Sequence, residues 1–248
     1  MRPILPGSPP PRWIWASRCV ATTLQSLPLR ASCFSTEVSN SPKPHPLVPP
    51  QGEPRRLLIG VLASQGDFAA HVSMLRELGA DAREVRTADE ISGLDALVIP
   101  GGESTTIAKA IERDGLAEPI RAHHGAGRPI LGTCAGMILC DRDHLGLIDA
   151  TCRRNAFGRQ SASFEEDLVI EGLGPEPLRA VFIRAPWAEE HGAAVDVLAS
   201  VDGHPVVVRE GPVLACAFHP ELTEDPRLHA LLMAMATESA ANRENAQR

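Results

Sequence analysis

The chain has 248 residues, 44% of them hydrophobic, with 24 basic and 31 acidic side chains and a net charge of −7. This length is enough for one domain with a substantial buried core plus an additional segment. The acidic balance argues against a nucleic-acid partner, and no apolar run is long enough to span a membrane.

Residues 1–56 differ in composition from the rest of the chain. They contain seven basic residues, two acidic residues and 12 of the 22 prolines. Such a segment cannot form long helices or strands, and disorder is predicted. Arginines and serines without any acid before Glu37 resemble an organellar transit peptide, while an upstream extension of no function is the alternative. We therefore expect a cytoplasmic protein, or an organellar one if this segment acts as a transit peptide.

The predicted domain covers residues 57–239 and is followed by a polar tail at 240–248. Its first element is the continuous apolar run 57–63, typical of a strand buried on both faces of a parallel sheet. Asp67 is placed to cap a helix that ends at Leu78, just before a glycine suited to a left-handed C-terminal cap.

Strands and helices then alternate along the first half of the chain. Buried strands are predicted at 94–99 and 129–132, with helices at about 105–113 and 116–124 between them. The second half contains shorter β runs and a last helix at about 226–239. This alternation predicts an α/β fold with a doubly wound, mostly parallel sheet flanked by helices, in which ligands bind at the carboxyl ends of the strands.

The segment Gly132-Thr133-Cys134-Ala135-Gly136 follows a buried strand and precedes an apolar helical stretch. It has the Gly-x-nucleophile-x-Gly pattern of a nucleophile elbow, with cysteine in place of serine. The glycines allow a sharp turn, and the helix N-terminus favours a thiolate. A small buried residue in a tight turn is the alternative to a nucleophilic Cys134.

The segment Phe218-His219-Pro220-Glu221 is predicted to end the last buried strand. In an extended chain, residues i and i+2 point to the same side, so Glu221 can orient His219 and His219 can take the thiol proton. A His-x-Glu pair alone is more often a surface feature. The order Cys, His, Glu along the chain differs from that of the α/β-hydrolases, in which the acid precedes the histidine.

Glycines also follow the strand at 94–99. Without a Gly-Lys-Ser/Thr ending, this loop is not a phosphate loop. The Gly102 and Ala135 N–H groups are candidates for an oxyanion hole, and an ordinary βα turn is the alternative.

Together these segments resemble the class I glutamine amidotransferases, and more narrowly the glutaminase subunits of pyridoxal 5′-phosphate synthase. The motifs are Pro-Gly-Gly-Glu-Ser-Thr-Thr at 100–106, Gly-Thr-Cys-Ala-Gly at 132–136, Arg-Asn-Ala-Phe-Gly-Arg-Gln at 154–160, Phe-Ile-Arg-Ala-Pro at 182–186 and Phe-His-Pro-Glu-Leu-Thr-Glu-Asp at 218–225. The resemblance covers about residues 57–239.

The resemblance implies a set of roles. Cys134 attacks the glutamine side-chain amide, with His219 as base and then acid and Glu221 orienting it. The substrate L-glutamine is contacted by six residues: Gly102, Glu103, Ser104, Arg154, Ile183 and Arg184. An arginine fork suits the substrate α-carboxylate, although the residues themselves do not indicate which arginine binds it.

The resemblance also implies a hetero-oligomeric partner, a TIM-barrel synthase subunit that receives the ammonia. Docking is expected to set the oxyanion loop, with residues 65–67 and 102–106 at the contact edge. The sequence departs from the family at Ser64, in a shorter stretch after Leu139 and in the N-terminal extension.

No cofactor and no metal site are predicted. Six cysteines without a Cys-x-x-Cys pair predict reduced thiols, and the histidines, among them His71 and His229, have no ligand spacing with one another. The alternative functions are a γ-glutamyl peptidase, another cysteine hydrolase of the same fold such as a deglycase, and an inactive regulatory subunit.

Overall fold

The computed structural model describes residues 55–158 and 163–246. A seven-stranded sheet forms its centre, in the order β2-β1-β3-β4-β11-β10-β9. The strands of this sheet are β1 (Leu58–Leu62), β2 (Asp81–Val85), β3 (Ala96–Ile99), β4 (Ile130–Thr133), β9 (Asp196–Val201), β10 (His204–Glu210) and β11 (Val213–Cys216). The pairs β2–β1, β1–β3, β3–β4 and β4–β11 are parallel. The pairs β11–β10 and β10–β9 are antiparallel and form one edge of the sheet.

Two smaller antiparallel pairs complete the strand structure of the described residues. One joins β5 to β8 and the other joins β6 to β7. Their bounds are β5 (Ala150–Arg153), β6 (Ser163–Leu168), β7 (Leu178–Ile183) and β8 (Trp187–His191). The ends of β5 and β7 lead into the segments that carry Arg154 and Arg184.

Helices lie between the strands and after the last of them in the described residues. They are α1 (Phe68–Glu77), α2 (Ala88–Ile91), α3 (Ser104–Arg113), α4 (Ala117–Gly125), α5 (Ala135–Cys140) and α6 (Arg227–Ala246), with one 3₁₀ turn at Pro220–Leu222. β1, β3, β4 and β11 are almost wholly buried, as expected for parallel strands covered on both faces. The predicted doubly wound α/β fold is therefore confirmed.

Local signals in the first half of the chain correspond to the structure. Asp67 caps α1 by accepting a hydrogen bond from the Ala70 N–H at 3.2 Å. Gly79, directly after this helix, has a φ of +92°, the left-handed conformation that favours glycine.

The predicted end of the last helix is wrong. α6 continues to Ala246 instead of stopping at Ser239, so residues 240–246 of the predicted polar tail are helical. Tertiary contacts hold this polar end, because Ser239 Oγ donates to the Gly127 carbonyl at 2.7 Å and Arg243 Nη2 lies 3.6 Å from Oδ1 of the buried Asp95.

Nearly all of the N-terminal segment 1–56 lies outside the described residues, as do Arg159 and Gln160 of the 154–160 motif. The disorder and targeting role of this segment, and the compartment, therefore stay predictions. Within 55–158 and 163–246, no helix combines the length and the apolar character needed to cross a membrane.

Candidate active site

Three neighbouring parallel strands deliver the main candidate residues to one edge of the sheet. β4 lies between β3 and β11, and the chain leaves these strands toward Gly101, Cys134 and His219. Backbone contacts tie the segments together, since the Cys134 N–H donates to the Cys216 carbonyl at 2.8 Å and the Gly101 N–H donates to Thr133 Oγ1 at 3.0 Å. Segments far apart in the sequence thus meet at the carboxyl ends of the strands, where such sheets bind ligands.

Cys134 occupies a strained turn between β4 and α5. Its φ is +49° and its ψ is −106°, values that non-glycine residues rarely adopt. The residue is 6% exposed, and its Sγ lies 3.9 Å from the Ile183 carbonyl oxygen. This is the geometry of a nucleophile elbow, which holds a side chain up at the end of a strand.

The two glycines of the elbow are required by close packing. A Cβ at Gly136 would lie 1.9 Å from the Ile99 carbonyl oxygen, and a Cβ at Gly132 would lie 2.7 Å from the Gly136 carbonyl oxygen. Backbone atoms cannot move aside as the end of a flexible side chain can. The glycine spacing that predicted the turn is therefore a steric requirement of this site.

His219 and Glu221 form a close pair. His219 Nδ1 donates to Glu221 Oε1 at 2.7 Å, which leaves the other ring nitrogen for the Cys134 side chain. Burial lowers the pKa of His219, but hydrogen bonds with Cys134 and Glu221 outweigh burial and raise it to about 10. Burial raises the pKa of Glu221, but the hydrogen bond from His219 and the nearby His71 imidazole outweigh burial and lower this pKa to about 2.

The predicted backbone at this pair is partly wrong. β11 ends at Cys216, and Glu221 lies in the 3₁₀ turn Pro220–Leu222 instead of an extended strand. His219 itself has a φ of −107° and a ψ of 87°. The carboxylate reaches the imidazole because the turn folds the chain back, so the pairing holds although the predicted i, i+2 alternation does not explain it.

One cavity of about 200 Å³ collects nearly all the predicted site residues. It is lined by Gly102, Glu103, Ser104, Cys134, Ala135, Ile138, Arg154, Asn155, Ile183, Arg184, Pro186 and His219. Glu221 stands behind His219, with its side chain almost fully buried. Sequence reasoning did not assign Ile138, Asn155 or Pro186, although the last two lie within the quoted motifs.

Backbone strain is concentrated at this cavity. Cys134, Asn155 and Arg184 have φ values of +49°, +47° and +46°, and all three line it. The remaining non-glycine residue with positive φ among those described is Asp202, in the turn between β9 and β10. Residues in sparsely populated conformations persist where the surrounding structure holds them, often at functional sites.

Glu103 and Arg154 form an ion pair at the cavity that Cys134 also lines. Arg154 Nη2 donates to Glu103 Oε1 at 2.9 Å, and Arg154 Nη1 donates to Thr105 Oγ1 at 3.1 Å. Glu103 also caps α3 by accepting from the N–H groups of Thr105 and Thr106. Hydrogen bonds, first from the Thr106 hydroxyl and then from these N–H groups, lower the pKa of Glu103 to about 2. This carboxylate therefore stays ionised and holds the guanidinium at the cavity.

Gly102 and Ala135, the two predicted oxyanion donors, both line the cavity. Ala135 is the first residue of α5, where a backbone N–H has no acceptor within the helix. Gly102 has a φ of +145°, which only glycine adopts readily. The Glu103 N–H donates to Gln65 Oε1 at 3.3 Å, so the two segments predicted to form the partner edge contact each other.

The other described cysteines lack the features of a nucleophile. Cys140 and Cys216 are fully buried. Burial raises the pKa of Cys140 to about 12 and also raises those of Cys152 and Cys216. These thiols stay protonated, and none of them lines the cavity.

His71 was missed as a site residue. This residue of α1 is fully buried, and its Nε2 lies 3.3 Å from Glu221 Oε2 and 3.4 Å from Thr133 Oγ1. Its place on the helix was a usable signal, because position 71 shares a face with the apolar Leu75 four residues later. A histidine on an apolar helix face is marked for burial, but its contact with Glu221 depends on the tertiary structure.

The chain matches a known protein family. A family model described as the SNO glutamine amidotransferase family matches residues 61–238, which include the elbow, the His-Pro-Glu segment and both arginines. The chain belongs to this family.

Similar proteins agree with this membership. The curated pyridoxal 5′-phosphate synthase subunit PdxT of Acidothermus cellulolyticus is 53% identical over 205 residues, which are 77% of this chain and 98% of the relative. That of a Parafrankia species is 54% identical over 184 residues, 71% of this chain and 91% of the relative. A crystal structure of a glutamine amidotransferase is 47% identical with a TM-score of 0.69, covering 72% of this chain and 98% of that one.

The family predicted from the sequence is thus confirmed. The predicted activity, that of a glutamine amidotransferase subunit of pyridoxal 5′-phosphate synthase, agrees with the names of these relatives. The matched region begins near β1 and ends within α6, so family membership concerns the folded domain and not residues 1–56.

Proposed function

We propose that the chain hydrolyses L-glutamine to L-glutamate and ammonia through Cys134, His219 and Glu221, and passes the ammonia to a pyridoxal 5′-phosphate synthase subunit. The observation that carries this proposal is the single cavity that joins the Cys134 elbow, the His219 ring and the Gly102 loop. A cysteine, a histidine and a carboxylate arranged in this way form an activated-nucleophile triad.

The first half of the reaction forms a thioester. The Cys134 thiolate attacks the side-chain carbonyl carbon of glutamine, and the oxygen takes the charge between the Gly102 and Ala135 N–H groups. His219 then gives its proton to the amide nitrogen as the C–N bond breaks, and ammonia leaves. A preorganised oxyanion donor of this kind is worth about 2.7–4 kcal/mol in the transition state.

The second half hydrolyses the thioester. A water molecule loses a proton to His219 as its oxygen attacks the γ-glutamyl carbonyl carbon. The carbon–sulfur bond breaks, and glutamate and the thiolate are released. Glu221 holds the His219 ring through the 2.7 Å hydrogen bond to Nδ1 and stabilises the imidazolium in both halves.

Charged groups at the cavity suit the amino-acid end of glutamine. Arg154 and Arg184 line the cavity, with Arg154 held by Glu103 and Thr105. A planar guanidinium binds a carboxylate through two parallel hydrogen bonds. We assign these two arginines to the substrate α-carboxylate, with Gly102, Glu103, Ser104 and Ile183 completing the substrate contacts.

The proposed partner is the TIM-barrel synthase subunit, which takes up the ammonia. Free ammonia would be protonated in water, so direct transfer between subunits protects the product. The exposed segment Gln65–Asp67 lies against the oxyanion loop through the Gln65–Glu103 hydrogen bond. A partner that docks at this segment would therefore contact a residue that is hydrogen-bonded to the neighbour of Gly102, and could change the position of the Gly102 N–H.

The deciding experiment measures glutamate release from glutamine by the full chain, with and without a pyridoxal phosphate synthase subunit. We expect strong stimulation by the synthase subunit and no turnover in Cys134→Ala. Turnover independent of the synthase subunit would instead indicate another amidohydrolase. Absence of turnover in both mixtures would indicate a binding subunit and overturn the proposal.

A further inference from the structure

Two buried histidines continue the catalytic residues into the core. Glu221 uses Oε1 for His219, and its Oε2 faces His71 Nε2 at 3.3 Å. His71 Nδ1 lies 2.8 Å from His229 Nε2 on α6. The side chains of His71 and Glu221 are 0% and 1% exposed, and His229 is fully buried. A row of four polar side chains therefore runs from the cavity to α6.

The carboxylate oxygen Oε2 needs a donor. Among the described residues it has no well-aligned hydrogen bond, and an unsatisfied buried carboxylate oxygen is costly. His71 Nε2 lies between this oxygen and Thr133 Oγ1, at 3.3 and 3.4 Å. The carboxylate carries a full charge, so it attracts the His71 N–H more strongly than the neutral Thr133 hydroxyl does.

The far end of the row sets its direction. Burial lowers the pKa of His229 to about 3, so this ring is neutral and carries one proton. Its Nδ1 is buried and has no partner among the described residues. A buried N–H without an acceptor is rarer than an acceptor without a donor. The proton is therefore on Nε2, which donates to His71 Nδ1 and leaves His71 Nε2–H to face Glu221.

We propose that His71, oriented by His229, is a positioning residue for the glutamine hydrolysis: it holds Oε2 of Glu221 so that Oε1 aims at His219. This inference rests on the proposed catalytic role of Glu221. Neither histidine lines the cavity proposed to bind glutamine. Their removal should thus affect kcat and leave the KM for glutamine near its original value.

A double-mutant cycle in the full chain with its synthase subunit tests this proposal. We expect His71→Leu to lower kcat about tenfold to hundredfold, the range for losing a hydrogen bond to a charged group. In a Glu221→Gln background the same change should lower kcat less than about twofold, because the carboxylate through which His71 acts is gone. A purely structural His71 would instead give equal losses in both backgrounds and overturn the proposal.

Two further variants separate positioning from loss of a buried imidazole. His71→Gln retains an N–H near the position of Nε2 and should recover most of the kcat lost in His71→Leu. His123 is also buried, and its Nε2 contacts the Pro129 carbonyl oxygen at 3.3 Å, away from the site. We expect His123→Leu to lower the melting temperature about as much as His71→Leu does, but to leave kcat unchanged.

A measurement on the unaltered protein tests the proposal even if His71→Leu fails to fold. Nitrogen-15 NMR of labelled histidine reports which ring nitrogen of His229 carries the proton. We expect a protonated Nε2 and an unprotonated Nδ1. A protonated Nδ1 would reverse the direction of the row and overturn the proposal. The proposed function would fail separately, through a Cys134→Ala variant that keeps its activity.

Discussion

Gly101 lies directly against the imidazole ring of His219. A Cβ at Gly101 would approach His219 Cε1 to 2.4 Å and Cys134 Cβ to 3.1 Å. The backbone at Gly101 thus packs against both His219 and Cys134. The absence of a side chain at position 101 leaves room for the His219 ring.

Gly101→Ala should therefore displace His219. We expect kcat to fall about tenfold to hundredfold, because a misplacement of about 1 Å costs on this order. The measurement is glutamate release, with thermal unfolding as the folding check. Gly125→Ala is the matched control, since a Cβ at Gly125 meets nothing within 4 Å. An unchanged kcat in Gly101→Ala would contradict this packing argument.

Arg154→Gln should weaken glutamine binding. Loss of a charge-assisted, forked contact to the α-carboxylate is worth about 1.5–3 kcal/mol, so we expect KM to rise roughly 10- to 100-fold with a much smaller change in kcat. Steady-state kinetics over a wide glutamine range measure both constants.

Arg179→Gln is the control for Arg154. Arg179 makes a comparably exposed ion pair with Glu165, also at 2.9 Å, but it lies outside the cavity. Its KM should stay at the original value. A KM that stays unchanged in Arg154→Gln would remove this residue from the substrate site.

The proton on His219 should make stability depend on pH. Its pKa is about 10 in the folded protein and about 6.5 when unfolded. The folded pKa is the higher one, so its stabilisation is fully present below about pH 6.5 and is lost as the pH rises through about 10.

Urea unfolding between pH 6.5 and 9.5 measures this dependence. The free energy of unfolding of the unaltered protein should fall more steeply than that of His219→Asn, by at most about 1.4 kcal/mol per pH unit. Glu221→Gln should lie between the two, because it removes one of the hydrogen bonds that raise the pKa. Equal slopes in all three proteins would show that His219 gains no proton on folding.

Thiol labelling should distinguish the cysteines of the folded domain. Cys134 lines the cavity, whereas burial keeps Cys140 and Cys216 protonated. We expect iodoacetamide at neutral pH to label Cys134 rapidly and the other two only after unfolding, as read by peptide mass spectrometry. Saturating glutamine should slow the labelling of Cys134. Labelling of Cys140 or Cys216 in the folded protein would contradict their burial.

Much of the site could be predicted from the sequence, because its main features depend on residues that are close together in the chain. The elbow at Cys134 depends on glycines within two residues of it, and each parallel strand is a continuous apolar run because both its faces are covered. The cap at Asp67 is equally local. The residues that now surround one cavity were identified by such local motifs and by the family resemblance that they carry.

Other features were decided only when distant segments packed together. α6 runs past Ser239 because Ser239 binds the Gly127 carbonyl and Arg243 pairs with the buried Asp95, contacts with distant segments that no local pattern of polar residues reveals. The 3₁₀ turn that carries Glu221 likewise replaced the predicted extended chain.

By itself the sequence determined the parallel α/β sheet and the nucleophile turn, because apolar runs and glycine spacing act over a few residues, and its motifs carried the family resemblance. The tertiary structure alone decided what stands behind Glu221. His71 and His229 are 158 positions apart, and they meet because α1 and α6 pack together. The role of a buried polar group depends on which partner the fold brings within hydrogen-bonding distance. The spacing of the two residues in the sequence does not predict that distance.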